Sequence, residues 1–421
     1  MTSHTADLRD TASGDERTEY AVAAKVSAAH FTSHVYMLVL PPLFPLLKDQ
    51  LHVGYIELGV AVTLFNVFTV LLQTPMGFAV DRFDARSILV AGLGLGGFAY
   101  FLFAAFPTYS CLLIAASLVG IANAVYHPCD YSILTAAISP SRIGRVFSFH
   151  LFAGYFGSAI APVLVLFLTA LVGLRFALTV TGCIAFLVAT PLIVDIVRRS
   201  ANARKAPATP AKPAESIFNV RVLTPAVLSL TGFFALISLS TTGINTFAGA
   251  GLQGSQGMSL AAANAALSGF LFASALGVLA GGMIADRTAH HNGVAAIGFV
   301  ATAILVLLVA VFSLPGAVII ALLSVAGFCS GLIQPSRDMM VREAVPEGAA
   351  GRVFGIVTTG FNIGAAIGPV IFGYVLDHGR PAWIFGITAG FMAITAFTAS
   401  WSQWRRQRAR SVAAPELGEA A

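Results

Sequence analysis

The chain is predicted to be an all-α membrane protein, with twelve transmembrane helices in two pseudo-symmetric six-helix halves. Three observations lead there. Of 421 residues, 57% are hydrophobic and only 10% are charged, against roughly 25% charged in a soluble domain. Apolar runs of about 20 residues, enough to span a bilayer core of roughly 30 Å, recur along the chain, and twelve can be marked. The chain also partly matches itself at an offset of 207 positions. Gly120–Phe147 reads GIANAVYHPCDYSILTAAISPSRIGRVF, and Gly327–Phe354 reads GFCSGLIQPSRDMMVREAVPEGAAGRVF. Gly120 thus pairs with Gly327, His127 with Gln334, Pro128 with Pro335, and Arg145 with Arg352. The match runs on from FGSAIAP (156–162) to IGAAIGP (363–369). Two apolar halves cut from one template are the mark of a duplicated membrane transporter.

Taken in order, residues 1–20 are rich in Asp, Glu and Arg and have no apolar core. They read as a disordered cytoplasmic tail and not as a signal peptide. The spans follow at 22–47, 55–79, 87–106, 109–138, 146–170 and 174–197, then 222–248, 262–285, 293–314, 316–341, 353–377 and 381–404. Backbone groups in lipid must bond internally, so each is expected to be a helix. An Ala-, Pro- and Lys-rich stretch, RRSANARKAPATPAKPAE, separates the halves. The expected domains are therefore a bundle at 21–197, a cytoplasmic linker at 198–217, a bundle at 218–404 and a basic tail at 405–421.

Lys and Arg concentrate on one side: Arg82, Arg86, Arg142, Arg145, Arg198, Arg199, Arg287 and Arg352 fall there, as does the RRQRAR tail. The opposite loops hold only Lys48, Arg175 and Arg380. The positive-inside rule places both termini in the cytoplasm, and a bacterial inner membrane fits the composition. The net charge of +5 is then a set of topological anchors and no sign of nucleic-acid binding. The four cysteines have unrelated spacings within apolar runs, so neither a disulfide frame nor a metal site is expected.

The loop GFAVDRFDAR after the second span is echoed by GGMIADR in the second half. Asp81, Arg82, Arg86 and Arg145, with Asp286, Arg287 and Arg352, sit at helix ends where charges can pair in one conformation and part in another. They are the candidate gating groups. With its two halves, linker and repeated loop, the chain resembles the major facilitator superfamily from about residue 21 to residue 404. The family's loop motif is Gly-x-x-x-Asp-Arg-x-Gly-Arg-Arg/Lys. Gly77, Asp81, Arg82 and Arg86 match it, whereas Asp84 and Ala85 stand where Gly and Arg are expected. His30, Tyr36 and Pro42, the Tyr126–Pro128 triplet YHP and the FGSAIAP run are similar to the fosmidomycin-resistance branch. That branch often has Asp where His34 stands. Helix 5 resembles an antiporter motif but lacks its trailing glycines, and the helix-4 Arg of drug–proton antiporters falls at Ala116.

An ionisable side chain inside a span costs at least about 2.5–3.5 kcal/mol, so it normally faces a cavity and has a partner. Asn123, His127, Asp130 and Tyr131 share one face of the fourth span, and Gln334 and Arg337 share the matching face of the tenth. Asp130 lies roughly 12 Å along its helix from the basic end. The resemblance implies that these helices line a central cavity. Three readings of the Asp130–Arg337 pair stay open: anion binding by Arg337 with a coupling proton on Asp130, cation binding by Asp130, or a structural salt bridge that includes Asp338. His30 and His34 lie one turn apart on the first span, and His150 lies on the fifth. Imidazoles titrate near neutral pH, so His34 and His127 join Asp130 as candidate proton-coupling groups. His30, His34, Asn123, His127, Tyr131, Asn245, Gln334, Arg337 and Asn362 are the candidate substrate contacts.

No HExxH, GxSxG or Walker-type motif is present, so the sequence implies neither an enzyme nor a primary pump, and no cofactor. The expected activity is secondary active transport by alternating access. The expected substrate is a small organic anion or amphipathic acid, coupled to protons, carried by a monomer in the bilayer. The alternatives are a drug or organic-cation antiporter using Asp130, and a non-transporting sensor on the same fold.

Overall fold

The computed structural model describes residues 3–203, 224–285, 287–288, 290–343 and 350–413; side chains are described from residue 16 to residue 401, with gaps. Among the described residues there is helix and no strand. The helices are α1 (Ser3–Met37), α2 (Phe44–Leu51), α3 (Tyr55–Arg82), α4 (Ala85–Ala105), α5 (Tyr109–Ala137), α6 (Ile143–Val172) and α7 (Leu174–Ala203). They are followed by α8 (Pro225–Gln256), α9 (Leu260–Ala285), α10 (His291–Val311), α11 (Gly316–Glu343), α12 (Ala350–Asp377) and α13 (Trp383–Ala413). Eleven of these are long and apolar enough to cross a membrane, from α3 to α13. The exception is the first expected span. Lys25, His30 and His34 make α1 more polar, and the chain breaks after Met37 into a 3-10 turn at Pro41–Leu43 before α2. Pro41 and Pro42 force that break because proline lacks the N–H a continuing helix needs. The single expected run 22–47 is therefore two helices.

Local chemistry sets the other ends. The Asp84 side chain accepts a bond from Ser87 N (2.9 Å) and starts α4. The residue that departs from the family loop motif is thus an N-cap. Thr108 and Thr224 cap α5 and α8 in the same way, the latter with Pro225 as the first helical residue. Gly173, at φ 80°, makes the one-residue turn between α6 and α7. Side chains other than glycine rarely adopt that backbone.

The described residues fall into two compact units, those within 1–40 and 64–215, and those within 41–63 and 216–421. Beside the change of unit within 198–217, residues 41–63, which include the start of α3, fall in the second unit. The cause is visible in the second unit. Asp377, the last residue of α12, accepts bonds from Tyr55 N and Ile56 N (both 2.8 Å), and Lys48 Nζ lies 3.8 Å away. The carboxylate satisfies open donors at the start of α3 and opposes its positive dipole end. Thr63 Oγ1 donates to Ala366 O (2.7 Å), and a Cβ on Gly59 would meet Pro369 O at 2.5 Å. The linker as expected at 198–217 lies mostly outside the described residues.

In the first unit α1 packs on α5, α6 and α7. Residues 1–20, expected to be a disordered tail, are helical from Ser3. The end of that stretch is held by Arg142, which donates from Nε to Glu19 Oε2 (2.8 Å) and from its second amino group to Oε1 (3.0 Å). These two charge-assisted bonds hold the Glu19 carboxyl down at about 2. Lys25, inside the helix, pairs with Asp195 of α7 at 2.7 Å. Tyr36 donates to Thr181 O (3.0 Å) and accepts through its own carbonyl from Tyr100 (2.6 Å), which ties α1 to α4 and α7. Tyr36 is thus a buried tie.

Candidate functional site

The first unit gathers four histidines and one aspartate from three helices. α1 supplies His30 and His34, α5 supplies His127 and Asp130, and α6 supplies His150. Their rings interlock around His30. The His150 ring stacks on it at 4.0 Å, His34 lies edge-on at 4.7 Å and His127 at 5.3 Å. Asp130 is fully buried, as is His150, and His30 is 2% exposed. Asp130 Oδ2 lies 3.3 Å from His30 Nδ1 and 3.5 Å from His150 Nε2. Neither approach has hydrogen-bond alignment. Both Asp130 oxygens, His30 Nδ1 and His150 Nε2 are buried without a hydrogen-bond partner.

The sequence explains how such a cluster is accommodated. His30 and His34 are one turn apart on α1 and face Gly154 on α6. A Cβ at Gly154 would stand 2.6 Å from His30 Nε2 and 2.9 Å from His34 Cδ2. Gly154 therefore makes room for two imidazoles, beyond the close helix approach its small size permits. Outer bonds orient the rings: Ser27 Oγ lies 3.5 Å from His150 Nδ1, and Ser158 Oγ lies 2.9 Å from His34 Nδ1. Ser27 has no charge or motif to mark it in the sequence, and Ser158, inside the FGSAIAP run, has nothing there that marks it as a partner of His34. His150 is visible there as a membrane histidine, but nothing in the sequence brings it to Asp130.

Other candidates are distributed around this centre. The His127 ring stacks 6.2 Å from Tyr131, which is 43% exposed and lies 5.1 Å from Phe147. Asn123 Nδ2 reaches Thr69 Oγ1 at 3.5 Å, an interhelical bond from α5 to α3.

In the second unit Arg337 lies on α11. Its guanidinium bonds the adjacent Asp338 (Nε to Oδ1, 2.9 Å) and stands 5.0 Å over the Phe234 ring of α8. The Arg337 side chain is 17% exposed and that of Asp338 52%. Gln334 and Asn362 are half-buried, and Asn245 Oδ1 is buried without a partner. Asp130 is thus flanked by His30 and His150, and Arg337 is bonded to Asp338, each inside its own unit. Of the candidate gating groups, Arg82, Arg145 and Arg287 are exposed and Arg86 is buried. Asp286 and the side chains of Asp81 and Arg352 lie outside what the structure describes.

Comparison with known proteins gives consistent results. Residues 26–252 and 233–419 match the sequence pattern of the Major Facilitator Superfamily. The fosmidomycin resistance protein of Escherichia coli (strain K12) is 25% identical over 386 residues, 89% of this chain and 90% of that protein. Among solved structures, a bacterial homologue of the human lysosomal transporter Spinster superposes with a TM-score of 0.73 at 13% identity, covering 92% of this chain and 97% of that one. The nucleoside transporter NupG superposes with a TM-score of 0.73 at 14% identity, covering 90% of this chain and 99% of that one.

Proposed function

The chain belongs to the Major Facilitator Superfamily, a family of multi-pass membrane transporters and not of enzymes, and from that premise we propose that it carries a small organic anion or amphipathic acid. The observation that carries the proposal is Arg337. A guanidinium on a membrane helix, little exposed and leaning on an aromatic face, offers a fork of donors suited to carboxylate or phosphonate-type oxygens. Its partner Asp338 is half exposed, so an anionic substrate can compete for those donors.

The proton gradient is the driving force we assign, because titratable side chains lie within the spans. Alternating access would rock residues of one six-helix half against the other. Both termini belong in the cytoplasm of an inner-membrane monomer by the distribution of Lys and Arg. One relative is named for resistance to fosmidomycin, which supports testing export of drug-like acids first.

The test is proton movement in proteoliposomes, read by an internal pH dye, on adding organic anions and then organic cations. An anion-dependent signal lost in Arg337→Ala supports the reading. A cation-dependent signal that survives Arg337→Ala refutes it in favour of cation antiport. Ligand binding without any transmembrane movement would make the protein a sensor.

A further inference from the structure

We propose that His30, Asp130 and His150 form a binding site for a divalent transition-metal ion of the zinc class. The sequence reading expects no metal and gives Asp130 to a coupling proton; the geometry points elsewhere.

The ligand atoms are already convergent. One ring nitrogen each of His30 and His150 and a carboxylate oxygen of Asp130 lie within 4.8 Å of one another, and all three residues are buried. Zinc bonds of roughly 2.0–2.1 Å at tetrahedral angles separate neighbouring ligand atoms by about 3.3–3.4 Å. The separations of His30 Nδ1 and His150 Nε2 from Asp130 Oδ2 are 3.3 and 3.5 Å. Two imidazoles and a carboxylate are a common donor set for zinc, and three protein ligands leave a coordination position open to an external ligand.

The orphaned atoms supply the second argument. A buried, unpaired polar atom is costly, and an unpaired carboxylate more so. A proton placed between Asp130 and one imidazole would satisfy that contact alone. The other imidazole nitrogen would remain unbonded. A cation at the common centre takes both nitrogens and Oδ2 together and offsets the carboxylate charge, with Oδ1 left as it is in either case.

The surroundings also match a metal centre. With Nδ1–H of His150 donating to Ser27 Oγ, the tautomer we assign, Nε2 presents its lone pair toward Asp130. Such an outer bond orients a ligating imidazole. Gly154 leaves space for the His30 ring at the approach where a Cβ would collide. The two other histidines, His34 and His127, surround His30 without joining the three-atom set.

Binding is measured on the purified full chain, stripped with chelator and titrated with Zn2+ and, as a spectroscopic probe, Co2+. We expect about one equivalent of Zn2+ per chain, and a thermal midpoint raised by the ion. Asp130→Asn and His30→Ala should weaken binding by at least about 10–100-fold, while His290→Ala and His378→Ala should leave it unchanged. His150→Cys should keep the ion and add a near-ultraviolet thiolate-to-Co2+ charge-transfer band, a signal that survives only in folded protein with residue 150 on the metal. Substoichiometric Zn2+ on the parent chain overturns the site. So does binding untouched by Asp130→Asn, or folded His150→Cys without the new band. Anion-driven proton movement in a parent chain that binds no metal would sink this site and leave the transport reading standing. Tight metal with silent transport would do the reverse.

Discussion

The two halves share a frame and differ in chemistry. In the first, a Cβ on Gly120 would run into the backbone carbonyl of Phe65; in the second, a Cβ on Gly327 would run into that of Phe270. α5 and α11 each carry a proline one position after the His127/Gln334 site, at Pro128 and Pro335. On this common backbone the side chains diverge. Asp130 corresponds to Arg337, His127 to Gln334, His150 to Val357 and Gly154 to Phe361. Val357 is fully buried, so the second half has apolar packing where the first has an imidazole. At Gly120 and Gly327 duplication kept a residue whose change would collide with backbone. The positions around Asp130 were not kept.

That comparison can be broken most directly at the frame. Gly120→Ala and Gly327→Ala should each destabilise by about 3 kcal/mol, the upper end for overpacking against atoms that cannot move aside. The readout is the yield of monodisperse protein and its thermal midpoint. Tolerance in either half would show that the shared contact is not a requirement of the fold.

The divergence is tested next at Gly154 and Phe361. Gly154→Ala should cost about 2 kcal/mol by displacing the His30 and His34 rings. Phe361→Ala, at an exposed position, should cost about 0.5 kcal/mol. Equal effects in thermal denaturation would remove the claim that the first half is specialised around its imidazoles.

A smaller effect is expected at Arg337. Arg337→Lys keeps the charge but loses the planar fork, and should weaken apparent affinity for the transported anion roughly tenfold. Anion-dependent flux measured across substrate concentrations checks this, and an unchanged half-saturation would mean that a point charge suffices.

The smallest effect belongs to the Glu19–Arg142 pair, which has no counterpart among the described residues of the second half. Glu19 is held down at about 2, chiefly by its bonds from Arg142. A depressed carboxylate stabilises the fold above its ordinary value of 4.5 and loses that contribution as pH falls toward about 2. Glu19→Gln should therefore flatten the acid limb of the thermal midpoint between pH 5 and 3, with little change in transport. A steeper limb in the variant would contradict the pair's role.

Much of the fold was legible because its cause is local. Apolar runs must become helices in lipid, and the repeated glycines and prolines show in the sequence at a constant offset. The broken first span was readable only in part. Pro41 and Pro42 announce a break, yet the run 22–47 looks continuous by composition. The border within α3 was not readable at all, since it depends on Asp377 meeting the start of a helix more than 300 residues earlier.

The candidate site divides along the same line. The sequence alone determined that Asp130 and Arg337 occupy equivalent positions of a repeat with opposite charge, and that histidines are present inside spans, because spacing along a helix fixes which residues share a face. It could not determine which groups meet across helices. The tertiary structure decided that Asp130 lies between His30 and His150, on chain segments 100 and 20 residues away. Helix rotation and depth are set by packing over many residues at once, through contacts such as Gly154 against two imidazoles. A single helix carries no record of where its neighbour's side chains will stand.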